Sequence, residues 1–130
     1  FKLSADGKKL HYKVDASGVG LVSQAHLHVG AVATTLEGQH THLPPGRGSG
    51  PIVGNLLDFV PAGLNSGGTV AEGVLTAADL SGPLSNYPLS ALADHLSRGW
   101  VYVNVHVFHE AGSGQRICCP GGMNGAIWPD

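Results

Sequence analysis

Charge is scarce in this sequence. Asp, Glu, Lys and Arg make up 12% of 130 residues, about half the share in an ordinary globular chain. The formal net charge is −2 and only 7 residues are Lys or Arg. No basic patch exists to neutralise a run of phosphates, so a nucleic-acid partner is not expected. No uninterrupted apolar run reaches about 18 residues, so no membrane span is expected either. A GxSxG elbow, a phosphate-binding loop and a dinucleotide fingerprint are all missing. No serine carries a local signature of a Ser–His–Asp triad. An organic cofactor is therefore not expected, and no residue argues specifically for turnover, so a non-enzymatic role is favoured. Gly46-Arg47-Gly48-Ser49-Gly50 is a flexible basic spot that reads as linker rather than phosphate cradle.

Cysteine is equally scarce. The two present, Cys118 and Cys119, are adjacent. Disulfide geometry wants Cα atoms about 5.5–6 Å apart, whereas chain neighbours sit at about 3.8 Å. A strained vicinal bridge, an intermolecular link, soft metal ligation and two small buried thiols all remain open, the last being the plainest. The redox compartment is not fixed by this pair. The chain begins at Phe1 rather than Met, as expected if a leader was removed or if it is a segment of a longer protein.

Glycine is abundant, at 20 residues, and hydrophobic content is 42%. A chain of this size and composition suits one domain with its own core. Two-residue alternation predicts strands over Phe1–Ser4, Leu10–Val14, Leu21–Val29, Pro51–Val60, Thr69–Leu75 and Trp100–Phe108. On the third of these, Val22, Gln24, His26 and His28 share one face; on the last, Tyr102, Asn104, His106 and Phe108 do. Asp6-Gly7 and Asn65-Ser66-Gly67-Gly68 read as turns. Residues 34–51 read as a long loop, a length often tied to function. Thr76 caps a short helical turn. The convincing helix starts at Leu89, with Leu89, Leu92, Ala93 and Leu96 on its apolar face and Gly99 ending it. The tail predicts a final pair of short strands, Gln115–Cys119 and Asn124–Trp128, around a turn. Six or more strands with frequent glycine turns and one short helix indicate an all-β, mostly antiparallel sandwich or barrel.

Several segments taken together, Ala25-His26-Leu27-His28-Val29-Gly30, Leu75-Thr76-Ala77-Ala78-Asp79-Leu80-Ser81-Gly82-Pro83-Leu84 and Tyr102-Val103-Asn104-Val105-His106, carry a family likeness. The chain resembles the CHRD domain, the module repeated in chordin and common in secreted proteins, over nearly its whole length. The resemblance implies an extracellular (secreted or periplasmic), mostly β, Greek-key-like domain and little about activity. Residues 1–130 are then expected to form a single CHRD-like domain with an extended C-terminal segment, 112–130. Family members usually end soon after the strand that contains His106, with a short Gly-Glu-Ile-Arg-Gly-type strand. Gly114-Gln115-Arg116-Ile117-Cys118 stands in its place, and the loop containing His40 looks expanded.

Histidine is the unusual residue, with 8 in the chain. Protonating all of them would move the formal charge from −2 to +6, so charge is set between about pH 5 and 7. His26 and His28 project from one strand face with Cα atoms roughly 6.5–7 Å apart. If the strand bearing His106 pairs with theirs, three imidazoles meet, a donor set that suits Cu(II) or Zn(II) with one position open. The plainer alternative is a structural histidine cluster bonded to backbone or to Asn104. Tyr102 and Asn104 are candidates to orient an imidazole. His40, His42 and His109 are candidates for a further ligand, although loop histidines are usually idle. His11 and His95 are expected at the surface. Two further readings follow: a non-catalytic scaffold binding another protein or extracellular matrix, with self-association an option for so weakly charged a surface, and a copper-dependent redox enzyme.

Overall fold

The computed structural model describes residues 1–29, 50–110, 116–118 and 123–126. Among them the strands are β1 (Lys2–Leu3), β2 (Leu10–Ala16), β3 (Leu21–Val29), β4 (Ile52–Leu57), β5 (Leu64–Asn65), β6 (Gly68–Leu75), β7 (Val101–Glu110), β8 (Arg116–Cys118) and β9 (Met123–Ala126). Two 3₁₀ turns, Ala77–Asp79 and Gly82–Leu84, and one helix, α1 (Leu89–Ser97), lie between β6 and β7. One sheet runs β1-β2-β6 and the other β4-β3-β7-β8, with β5 added to β3 and β9 to β7. Every pairing is antiparallel, so the all-β expectation holds and its sandwich form is the one adopted. The long loop expected over 34–51 lies outside the described residues except at its end.

The alternation of apolar residues sets the inner faces. Leu10, Val14, Val70, Ala71 and Leu75 come from the first sheet; Val22, Ala25, Leu27, Val53, Leu56, Val101, Val105 and Val107 come from the second. The helix adds Leu89 and Leu92, both buried, with Leu96 packed at the margin. Its end is a Schellman closure: the Trp100 N–H donates to the His95 carbonyl and the Gly99 N–H to the Leu96 carbonyl. Gly99 takes φ +70°, which a side chain would oppose. That closure turns the chain directly into β7, the strand that carries half of the candidate site.

Bulges decide which side chains leave the outer face. Val22 pairs with Val107 and Gln24 with His106, so Ser23 is an extra residue on β3. The insertion turns Val22 into the core, where it is fully buried. This corrects the expectation that Val22 shares a face with His26 and His28; strict alternation does not survive a bulge. On β4 the register leaves Val53 and Leu56 as extra residues against β3. Their carbonyls are satisfied from elsewhere, Leu56 by the Tyr12 hydroxyl at 2.8 Å and Val53 by the Ser81 N–H at 3.0 Å. The Leu80-Ser81-Gly82 segment is thus held against β4. The tail differs from expectation too: β8 and β9 each pair with β7, beside residues 108–110 and 102–105 respectively.

Candidate metal centre

The β3–β7 ladder positions the histidines. His26 stands opposite Asn104, His28 opposite Tyr102 and Gln24 opposite His106. Paired residues share a sheet face, so His26, His28, Tyr102, Asn104 and His106 all project from the side away from the core. His106 is therefore the diagonal neighbour of His26. The rings of His26 and His106 have centroids 5.2 Å apart, and those of His26 and His28 are 6.0 Å apart. One ring nitrogen from each of the three lies within 4.8 Å of the other two. Any triangle that small has a point within about 2.8 Å of every corner, so modest side-chain rotation would reach the ~2.0–2.1 Å of a metal–imidazole bond.

His28 is the most constrained of the three. It is 7% exposed, and its Nδ1 lies 2.7 Å from the Gly50 carbonyl oxygen. A carbonyl can only accept, so Nδ1 carries a proton, and in the neutral tautomer this selects, Nε2 presents a bare lone pair. The ring of the fully buried Tyr102 stacks on that imidazole, with centroids 5.2 Å apart and planes at 12°. The Gly50 N–H closes the arrangement by donating to the Tyr102 hydroxyl at 3.0 Å. The backbone of one residue thus orients His28 through its carbonyl and anchors the ring lying against it through its N–H. Position 50 has no room for a side chain: a Cβ there would stand 1.8 Å from the Val29 carbonyl oxygen.

Among the described residues, His26 Nδ1, His28 Nε2 and Asn104 Oδ1 are buried without a hydrogen-bond partner. Leaving such an atom unsatisfied costs about 1–3 kcal/mol. His26 is half-buried. Burial pushes its pKa below the ordinary 6.5, and the neighbouring His106 and His28 push it the same way. The neutral imidazole favoured by this setting is the form that binds a metal.

The remaining candidates fare unevenly. Tyr102 and Asn104 share the face, as anticipated. His109 lies on β7 opposite Ile117 in the backbone register. His40 and His42 lie outside the described residues. His11 is exposed. His95 is half-buried, contrary to its expected surface position, because its Nδ1–H donates to the Ala91 carbonyl at 2.8 Å and its ring meets the Trp100 edge. The participant missed in the sequence is Gly50, read there as linker. Its role comes from a backbone carbonyl, for which residue type gives no signal beyond the need for a missing Cβ.

The family model described as CHRD domain matches residues 1–113. No curated protein and no solved structure matches the chain.

Proposed function

The chain belongs to the CHRD domain family, and from that premise and the imidazole cluster we propose that it is an extracellular β-sandwich module binding one divalent transition-metal ion, Cu(II) or Zn(II), through His26, His28 and His106. The observation that carries this reading is the state of His28. Its Nδ1 is committed to the Gly50 carbonyl while its buried Nε2 has no hydrogen-bond partner among the described residues and belongs to the triangle of ring nitrogens. A ligating histidine almost always has its other nitrogen bonded in this way. A purely structural cluster would spend these nitrogens on hydrogen bonds, and His26 Nδ1 and His28 Nε2 make none among the described residues. Three neutral imidazoles suit both metals, and the divalent series favours copper on affinity. Tyr102 and Gly50 hold His28 in place. No catalytic residue is assigned.

Family membership also supports a role in holding a protein or matrix partner, a role compatible with a bound ion. The 112–130 segment belongs to the same domain in this reading. Its Met123–Ala126 strand pairs with β7 on the edge opposite the β3 ladder. No helix among the described residues is long and apolar enough to cross a membrane.

The test is metal content. The purified chain is dialysed against Cu(II) or Zn(II), and bound metal is measured for wild type and for His26→Ala, His28→Ala and His106→Ala, with circular dichroism confirming the fold. One ion per chain, lost in all three variants, is the expected result. A folded wild type that retains no metal, or variants that bind as well as wild type, would overturn the proposal.

A further inference from the structure

We propose that the centre is open, and that its fourth position takes an exchangeable ligand, a water that donates a hydrogen bond to Asn104 Oδ1. This inference rests on the three-histidine reading and concerns what completes the coordination. Three imidazoles fill three of the four positions that Zn(II) usually offers and leave one for an exogenous ligand. Asn104 borders all three histidines. It faces His26 directly across the ladder, lies two residues from His106 on β7, and is diagonal to His28.

That amide has work undone. Asn104 is 8% exposed, and its Oδ1 has no hydrogen-bond partner among the described residues. A buried acceptor in that condition calls for a donor. His28 Nε2, a ligand in this reading, has no proton to supply. A coordinated water supplies it, offering a lone pair to the ion and donating an O–H hydrogen bond to Oδ1. Direct ligation by the amide oxygen is the weaker alternative, because carbonyl oxygens suit Mg, Ca and Mn whereas imidazole sites suit copper and zinc. The ligand class follows: small molecules that coordinate through one atom, with those carrying a proton on that atom favoured by Asn104. Azide replaces water without any redox change, and its coordinating nitrogen has no proton to give.

The probe is therefore azide against the Cu(II)-loaded chain, followed by the azide-to-copper charge-transfer absorption, with copper per chain measured first. Wild type should hold one copper and give a saturable azide band. Asn104→Ala should keep its copper and bind azide about tenfold more tightly, because only the competing water loses a hydrogen bond. Asn104→Asp keeps an acceptor of the same shape but makes it anionic, which strengthens the water's hydrogen bond and repels azide, so it should bind azide more weakly than wild type; it carries the test if the alanine variant does not fold. Absence of copper in wild type would remove the three-histidine reading itself. Copper bound without any azide band would leave that reading standing and refute the open position. Loss of copper in folded Asn104→Ala would make the amide a direct ligand, and unchanged azide affinity in both variants would show that Asn104 does not touch the exchangeable ligand; either result overturns this proposal.

Discussion

Replacing Gly50 with alanine tests whether the backbone of that one residue holds the candidate centre together. The added Cβ would stand 1.8 Å from the Val29 carbonyl oxygen and 2.9 Å from its carbon. Both are backbone atoms of β3, which is held at Val29 by its pairing with Val101 of β7, so Gly50 rather than the strand must give way. A shift of about 1.5 Å restores ordinary contact and carries the Gly50 carbonyl and N–H beyond hydrogen-bond reach of His28 and Tyr102. Two lost bonds, at about 1 kcal/mol each plus some unsatisfied burial, cost about 2–3 kcal/mol. Alanine recovers about 0.5–1 kcal/mol by restricting the unfolded chain. The net loss of about 1–2.5 kcal/mol should lower Tm by about 4–9 °C for a domain of this size. The tautomer of His28 is then no longer enforced, and Zn(II) affinity should fall about 10–100-fold. Thermal melts of the apo chain and calorimetric Zn(II) titrations read the two effects separately. A variant that melts within 1 °C of wild type and binds Zn(II) equally well would refute the argument.

Other outcomes follow from the same geometry. Long-range ¹H–¹⁵N correlation spectra should show a proton on His28 Nδ1; an Nδ1 without one would contradict the bond to Gly50. The His26 pKa is depressed in the folded state, so the unfolded chain takes up a proton first as pH falls. Its contribution to apo stability is therefore complete above about pH 6.5 and declines from there towards the lowered value. Urea midpoints at pH 7.5 and 5.5 should differ more in wild type than in His26→Gln. Saturation with Zn(II) at about 100 times Kd should add about 2.7 kcal/mol, or roughly 10 °C in Tm, and His106→Ala should abolish the gain. Leu92→Ala empties a fully buried position on the helix and should cost about 2–5 kcal/mol in urea unfolding, leaving metal stoichiometry unchanged in the folded protein.

Much of the fold was legible because its signals are local. Strict alternation marks β7 from Val101 to Phe108, and Gly99 at φ +70° ends the helix where its position suggested. The burial of Leu89 and Leu92 follows from helical spacing. Val22 was misplaced because a bulge adds one residue to one strand, and nothing in the local pattern announces it. The pairing of β8 and β9 with β7 was equally hidden, since partner choice between short strands depends on which ladder edge stands open.

The candidate site divides along the same line. His26 and His28 were bound to share a face, because residues two apart on a strand point the same way. His106 could be placed on a face of its own strand by the same rule. Whether the two faces coincide was a question of register between segments almost 80 residues apart, and a slip of one residue would have turned His106 into the core. The β3–β7 ladder answered it, setting Gln24 against His106 and Asn104 against His26. The orientation of His28 lay further from the sequence still, since it is held by a backbone carbonyl whose position only the packed chain determines. Periodicity, a local property, chose the candidate histidines; register and backbone approach, which exist only between distant segments, brought them together.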